Sequence, residues 1–435
     1  MKGFMKFKLL LLFIGIQGSL WAQDIRVLSV DELFRLGVEN SLRLKASRIE
    51  EVIANDRTLT AKTANFPEIQ IGASAGYIGQ PTIFRKGLSQ TTHPDIPDWS
   101  HNYSAELTQN LYNGGKIRYR NRQASLEKQI ATLNSTDQEA EIKMLLLQHY
   151  LDLFSLYKQK EVLLRNIEES THRLKDIRQL KKEGVVTYND EIRSELQLTN
   201  YELAYREAQD NISIVSQQLD IILGLDESLL LEPDTNLLST SVPLQKYEAY
   251  ILLAYEHFPG LKIAEFRTQL AQNDVLISRS DNLPALSLRA GNTLARPLSS
   301  TMEDVFSNNW NVGLNLSYSL SSLYRNRHKL HENRQNISLR QNAEEQIKQD
   351  IRVQVRSVYI KHVEALDRVK ALLLSVQQAN ENYRIVQNRY MNQLSTMTDL
   401  LDASSIRLEA ELQLTNARTE IIYTYYELMR TCGNL

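Results

Sequence analysis

Residues 184–190 read Gly-Val-Val-Thr-Tyr-Asn-Asp, and residues 393–399 read Gln-Leu-Ser-Thr-Met-Thr-Asp. Thr187 and Asp190 in the first stretch correspond to Thr396 and Asp399 in the second, 209 residues later (399 − 190 = 209). The same offset relates two further pairs, Tyr150 with Tyr359 and Gly224 with Gly433. Because a solenoid unit is only about 20–50 residues long, this spacing predicts a duplicated half-protein whose sites recur at related positions.

The first 22 residues are predicted to be a signal peptide. Lys2, Lys6 and Lys8 precede an apolar run at residues 9–16, and small residues lead to Ala22. This order is typical of a cleaved export signal, and the run is too short to span a bilayer. A retained helical anchor is the alternative. Without these three lysines the chain has 47 basic and 52 acidic residues (50 − 3 = 47), a net charge of −5 (47 − 52 = −5). This negative net charge argues against nucleic-acid binding.

The sequence contains no recognisable catalytic motif. Cys432 is the single cysteine, which excludes an intrachain disulfide and a cysteine-based metal cluster. The eight histidines are scattered, a pattern more typical of surface positions than of metal ligands. No phosphate-binding glycine loop or nucleophile elbow is present. We therefore expect neither enzyme activity nor a cofactor.

Four segments alternate apolar residues with small or polar ones. The clearest apolar faces are Ile69, Ile71, Ala73, Ala75 and Tyr77 in the first half and Val312, Leu314, Leu316, Tyr318 and Leu320 in the second. Segments of about ten residues with this alternation suit transmembrane β-strands. A soluble hairpin covered on one side is the alternative interpretation.

Long helices occupy most of the remaining sequence. From Lys116 to Lys182 there is neither proline nor glycine, which predicts about 100 Å of helix at 1.5 Å per residue. Apolar residues recur at steps of three and four, as in the return stretch Leu198, Tyr201, Tyr205, Ala208, Ile212, Val215, Leu219 and Ile222. Such narrow stripes predict antiparallel coiled coils with turns near 184–189 and 393–398.

Four strands cannot close into a barrel. An open edge in hydrocarbon leaves unpaired backbone N–H and C=O groups, so several copies would have to share one barrel. The pattern itself leaves open eight strands from two chains or twelve from three.

The sequence divides into six predicted segments after the signal peptide. They are a collar with first helices at 23–65, barrel hairpin 1 with an extracellular loop at 66–112, long helical hairpin 1 at 113–228, a collar with linking helices at 229–282, barrel hairpin 2 with an extracellular loop at 283–322, and long helical hairpin 2 at 323–435.

Several motifs, taken in order, resemble those of TolC-like outer membrane efflux proteins. They are the strand-to-helix junction Leu111-Tyr112-Asn113-Gly114-Gly115-Lys116, the strand starts Phe66-Pro67 and Leu283-Pro284, the turn Gly184-Val185-Val186-Thr187, and the helix end Leu223-Gly224. The resemblance covers residues 24–433. Each motif alone is weak evidence for the family, but their order, repeated in both halves, is strong evidence.

This resemblance implies a mixed α and β membrane protein of the Gram-negative outer membrane. A homotrimer would share a twelve-stranded barrel that continues into a helical periplasmic tunnel. The implied function is the exit channel of a tripartite efflux or type I secretion system, a passive duct opened at its periplasmic tip. The implied partners are a periplasmic adaptor, an inner membrane transporter of RND or ABC type, and outer membrane lipid. The alternative is an exported, non-channel coiled-coil structural protein of the periplasm.

The resemblance also implies an acidic gate at the tunnel tip. Asp399 and Asp402 match the family's acidic positions and lie on one helix face. Tyr390 matches a tyrosine that ties this turn to the neighbouring hairpin, with Asp190 as its candidate partner. The tip residues expected to meet the adaptor are Gly184, Val185, Val186, Thr187, Leu394, Ser395 and Thr396.

The acidic residues also have structural interpretations. Thr187–Asp190 and Thr396–Asp399 have the spacing of helix-capping pairs, and capping is favoured because the spacing occurs in both halves. Asp402 lies beyond the first helical turn. It is predicted either to face the lumen or to pair with Arg193, its counterpart in the repeat.

The two copies differ at the strand-to-helix junction and at the turn. Gly114 and Gly115 correspond to Leu323 and Tyr324, so the second junction is expected to bend differently. Gly184 corresponds to Gln393, and Ser395 stands where the family has an arginine. We therefore expect the closed tip to be held differently from that of the family.

Overall fold

The computed structural model describes residues 25–234, 244–297 and 303–435. The predicted signal peptide, residues 1–22, lies outside these ranges. The described chain forms two compact units. The first comprises residues 25–39, 146–234 and 371–419, and the second comprises residues 40–145, 244–297, 303–370 and 420–435. Each unit contains segments from both halves of the sequence, so neither half folds as a separate domain.

Long helices dominate the described chain. Helices α1 to α8 are Val30–Asn40, Leu42–Thr63, Lys116–Lys182, Tyr188–Leu223, Tyr247–His257, Pro259–Ser280, Ser322–Met391 and Met397–Thr431. Strands β1 to β8 are Ile25–Leu28, Glu68–Tyr77, Ile83–Arg85, Gln90–Thr92, Trp99–Asn113, Leu230–Pro233, Ala285–Arg296 and Ser307–Ser317. None of the described helices is both long and apolar enough to cross a bilayer. The mixed α and β fold predicted from the sequence is confirmed.

The second unit contains a four-stranded antiparallel sheet in the order β2-β5-β7-β8. Strands β2 and β5 pair directly, with Ile71 opposite Ala105, and β7 and β8 pair with Ala290 opposite Val312. The two hairpins join through β5 and β7, where the register shifts at Asn110 and Tyr112. Strands β2 and β8 are therefore the outer edges of this sheet.

The first unit contains a short parallel pair that the sequence analysis missed. Ile25 pairs with Leu230 and Leu28 with Pro233. The hydroxyl of Tyr150 on α3 donates to the Leu28 carbonyl oxygen at 2.8 Å and accepts from the Asp234 backbone N–H at 2.9 Å. This fully buried phenol therefore ties α3 to both strands, at the end where Leu28 lies opposite Pro233.

The predicted apolar stripe of α4 faces inward. Tyr201, Ala208, Ile212 and Leu219 are buried, and the other predicted stripe positions are partly buried. In the second unit, Cys432 packs against Tyr250, Leu261 and Val355. Burial raises the pKa of the Cys432 thiol to about 12, so this cysteine is unreactive at neutral pH.

Candidate functional site

The turns between the long helices have the same backbone form. Gly184 follows α3 with a φ of 76°, and Gln393 follows α7 with a φ of 63°. The Val185 N–H donates to the Leu180 carbonyl oxygen at 2.9 Å, and the Leu394 N–H donates to the Arg389 carbonyl oxygen at 2.8 Å. Both helices thus end in a left-handed residue that satisfies their last carbonyls. The two turns are therefore alike, although the second has a glutamine where the first has a glycine.

Both return helices begin with a reciprocal capping box. The Thr187 N–H donates to Asp190 Oδ2 at 2.9 Å, and the Asp190 N–H donates to Thr187 Oγ1 at 3.2 Å. Thr396 and Asp399 form the same two bonds at 2.8 and 3.2 Å. The capping interpretation is confirmed for both aspartates. Hydrogen bonds from Thr396 hold the pKa of Asp399 below its usual value, so its carboxylate stays charged.

Asp402 does not pair with Arg193 within the described chain. Arg193 Nη1 instead donates to Thr398 Oγ1 at 2.5 Å. Thr398 directly precedes Asp399, the capping aspartate of α8. This contact joins α4 to the first turn of α8. Asp402 is exposed, which leaves its carboxylate accessible at the tip. A pair between hairpins of neighbouring chains and the lumenal position of Asp402 both stay predictions.

Tyr390 stabilises the second turn by packing. It is 7% exposed and contacts a cluster that includes Ile177, Met397 and Leu400. Its hydroxyl has no hydrogen-bond partner in the described part of the chain. The expected bond between Tyr390 and Asp190 is absent there, and Asp190 Oδ2 accepts from Thr187 instead. Burial, and then the charge of Asp190, raise the pKa of Tyr390, so the phenol stays protonated.

The tip of the first hairpin is held by ion pairs that the sequence analysis missed. Arg178 contacts Glu191 at 3.0 Å and Glu195 at 2.6 Å, and Lys181 contacts Glu191 at 2.6 Å. In the described ranges no ion pair joins α7 to α8. Instead, α8 attaches to α3, where Arg407 pairs with Glu169 at 2.5 Å. Alternating charge on the helices is the sequence signal, but it does not specify partners more than 200 residues apart.

The first strand-to-helix junction needs both glycines. Gly114 and Gly115 have φ values of 66° and 83° between the end of β5 and the start of α3. A Cβ on Gly114 would also lie 2.8 Å from the Ser280 carbonyl oxygen. Next to it, Lys116 pairs with Asp281 at 2.6 Å. In the second junction four residues, 318–321, separate β8 from α7, so the expected difference in bending is confirmed.

Within residues 25–234, 244–297 and 303–435, no group of three or more histidine, cysteine or acidic side chains could hold a metal ion. What the described residues provide is a sheet with two open edges, and two capped helical turns that carry exposed carboxylates.

Comparison with known proteins shows a family match over part of the chain and a shared fold. Residues 251–434 match the family described as outer membrane efflux protein. The outer membrane protein VceC of Vibrio cholerae has a TM-score of 0.79 at 17% identity, covering 93% of this chain and 96% of VceC. The outer-membrane channel OprN has a TM-score of 0.77 at 16% identity, covering 93% of this chain and 90% of OprN. CusC has a TM-score of 0.77 at 14% identity, covering 93% of this chain and 92% of CusC. No curated protein sequence matches the chain significantly.

The fold is therefore that of the outer membrane efflux channels. The resemblance to TolC-like outer membrane efflux proteins, drawn from the duplicated motifs, is confirmed by the family match and by the shared fold.

Proposed function

We propose that this protein is the outer membrane exit duct of a tripartite efflux or type I secretion system. It would act as a homotrimer, with no energy source of its own, and open at its helical turns when engaged by a periplasmic adaptor and an inner membrane transporter. The strongest support is the sheet, whose apolar side chains are exposed and whose two edges are open.

The exposed side chains of the sheet suit contact with lipid. Ile71 is 85% exposed and Val312 is 63% exposed, although both lie in the interior of regular strands. Aromatic residues accompany them, with Trp310 on β8 and Trp99 at the start of β5 both largely exposed. A soluble sheet would cover such a face, whereas hydrocarbon accommodates it.

The open edges call for further copies. Strands β2 and β8 each present an unpaired row of backbone groups, and such a row is costly in hydrocarbon. Pairing the β8 edge of one copy with the β2 edge of the next removes every edge once the ring closes. Three copies would give the twelve strands that the family resemblance implies.

The tip supports the gating part of the proposal. Helix α8 is attached to α4 by the Arg193–Thr398 contact and to α3 by Arg407–Glu169. No described ion pair joins α8 to α7, its partner in the second hairpin. Opening would then require α8 to break these polar contacts and to leave its apolar contacts with Ile177 of α3, while the turn itself stays intact.

Membrane fractionation and electrophoresis test the proposal. We expect the mature protein in the outer membrane fraction, migrating as a trimer when unheated and as a monomer after boiling. The purified protein should give discrete conductance steps in planar bilayers. A purely periplasmic species with no conductance would favour the alternative, an exported coiled-coil structural protein. A boiled sample is the matched control for conductance.

A further inference from the structure

A groove in the first unit is lined by α3, α7 and α8 and contains two buried arginines. Arg173 on α3 is 8% exposed and Arg407 on α8 is 9% exposed. The groove has a volume of about 430 Å³, and Tyr383 and Tyr390 of α7 form part of its wall. Buried guanidinium groups are costly unless they are neutralised.

Arg407 is neutralised within the chain. Its guanidinium donates to Glu169 Oε2 at 2.5 Å and to Asn166 Oδ1 at 3.1 Å. It also lies over the ring of Tyr383, with Cζ 4.0 Å from the ring centre. This charge therefore has a carboxylate and an aromatic face as partners.

Arg173 is not neutralised in this way. Its Nη2 donates to Ser170 Oγ at 2.6 Å, and its Nη1 donates to Tyr383 Oη at 3.4 Å. Both acceptors are uncharged. Asp176 lines the same groove, yet it forms no ion pair with Arg173 among the described residues. The guanidinium keeps a full positive charge with only two of its five N–H groups assigned.

The neighbouring groups without partners are also donors. In the described part of the chain, Nε of Arg173, Nε of Arg407 and Oη of Tyr390 are buried and have no hydrogen-bond partner. Tyr383 Oη accepts from Arg173, which leaves its own proton available. Burial raises the pKa of both tyrosines, so both stay donors near neutral pH. The groove also contains two carboxylates, but Glu169 is paired with Arg407 and Asp176 is exposed, so the buried wall around Arg173 presents donors.

We propose that this groove binds a small oxyanion, such as inorganic phosphate or a free carboxylate, against Arg173, Tyr383 and Tyr390. The planar guanidinium matches the paired oxygens of such ions, and charge-assisted bonds of this kind are the strong ones. At this buried wall a cation would meet donors rather than ligands. Because α3, α7 and α8 all line the groove, the bound anion joins the two helical hairpins.

Phosphate titration of the full-length protein in detergent tests the site. Sodium phosphate is added against sodium chloride of equal ionic strength, and the Tm and the heat of binding are measured. We expect a saturating rise in Tm that acetate reproduces more weakly. Arg173→Gln should weaken phosphate binding at least about tenfold, as expected for the loss of bonds from a charged group.

A matched variant separates the site from general charge effects. Arg165→Gln removes an exposed arginine of the same helix that pairs with Glu411 at 3.2 Å, and it should leave phosphate binding unchanged. Circular dichroism shows whether each variant is folded. If Arg173→Gln fails to fold, Asp176→Asn serves instead, because removing a carboxylate from the groove should tighten binding.

Two results would overturn the proposal. One is a Tm that rises without saturation and equally in Arg173→Gln and Arg165→Gln, which would indicate a nonspecific salt effect. The other is unchanged binding in Asp176→Asn. Neither result depends on whether the protein conducts ions, so the site and the channel function are tested separately.

Discussion

Gln393 adopts the left-handed conformation of Gly184, with a φ of 63° against 76°. The two residues end α7 and α3 at equivalent positions of the repeat, so the chain keeps one turn geometry with two different residues. A residue with a Cβ is strained in this region by about 1–2 kcal/mol, whereas glycine is not.

Exchanging these two residues should move stability in opposite directions. Gln393→Gly is expected to raise the Tm, and Gly184→Gln is expected to lower it by the equivalent of about 1–2 kcal/mol. A Cβ on Gly184 would meet no atom within 4 Å, so the cost is one of backbone conformation alone. Thermal unfolding of both single variants measures it. Equal and opposite shifts are the expected outcome, and a stabilised Gly184→Gln would contradict it.

Asp220 should make the first unit less stable as the pH rises. Burial, and then the charge of Asp226, raise the pKa of its carboxyl to about 6, against 3.8 in the unfolded chain. The folded state therefore holds the proton more tightly, so stability is lost between about pH 4 and pH 6 and stays lower above that range. Asp220→Asn removes this cost and should stabilise the protein at pH 7.5 by up to about 3 kcal/mol.

The gain from Asp220→Asn should vanish at pH 4, where the native carboxyl is already protonated. Unfolding at both pH values measures the difference. Asp210→Asn, at an exposed position of the same helix, is the control and should have little effect at either pH. A gain in stability that does not depend on pH would exclude the titration of Asp220 as its cause.

Tyr150 and Tyr157 form a natural pair for measuring one hydrogen bond. Both lie on α3, but the Tyr150 hydroxyl bonds to Leu28 and Asp234, whereas that of Tyr157 has no partner in the described chain. Tyr150→Phe should destabilise the protein by about 1 kcal/mol, since it removes the hydroxyl while the Asp234 N–H keeps its bond to the Leu28 carbonyl oxygen. Tyr157→Phe should be neutral or slightly stabilising. Denaturant unfolding of both variants provides the comparison.

Removal of Arg193 should favour the open tip, if the channel function is correct. Arg193→Ala deletes the bond to Thr398 that attaches α4 to α8. One such bond contributes roughly 1 kcal/mol, or about fivefold for each chain, so the open probability of a trimer in planar bilayers should rise at least about fivefold. Arg206→Ala, at an exposed position further along α4, is the control. An unchanged open probability would place the closing contacts elsewhere.

Removal of Asp402 should weaken block by divalent cations. In a trimer, Asp402→Ala would delete a ring of three carboxylates, and the blocking concentration should rise on the order of tenfold. Asp399→Asn is not a suitable control, because it would disturb the cap with Thr396. Asp210→Ala, at an exposed position of α4, is the control instead. Unchanged block in Asp402→Ala would argue against a lumenal position for this side chain.

Sequence patterns predicted the helices of this fold well, for clear physical reasons. The span from Lys116 to Lys182 has no helix breaker, and α3 occupies that whole span. The capping boxes depend only on residues three positions apart, so local spacing was sufficient. Strands β1 and β6 were missed because four residues are too short to show alternation.

The polar contacts between distant helices were beyond sequence reasoning. The Arg407–Glu169 and Arg193–Thr398 contacts depend on how far one long helix is displaced along another. Apolar stripes fix which face of a helix is buried, but a shift by one heptad leaves them nearly unchanged. The burial of Arg173 has the same origin, because a long, charged side chain in a coiled-coil sequence normally indicates a solvated face.

The burial of Cys432 has a practical consequence. As the single cysteine of the chain, with its thiol pKa raised to about 12, it would not compete for maleimide reagents. A cysteine introduced at an exposed position such as Asp402 or Leu394 would therefore be the one reactive thiol. Spectroscopic probes for following the turns can be attached without first removing the native residue.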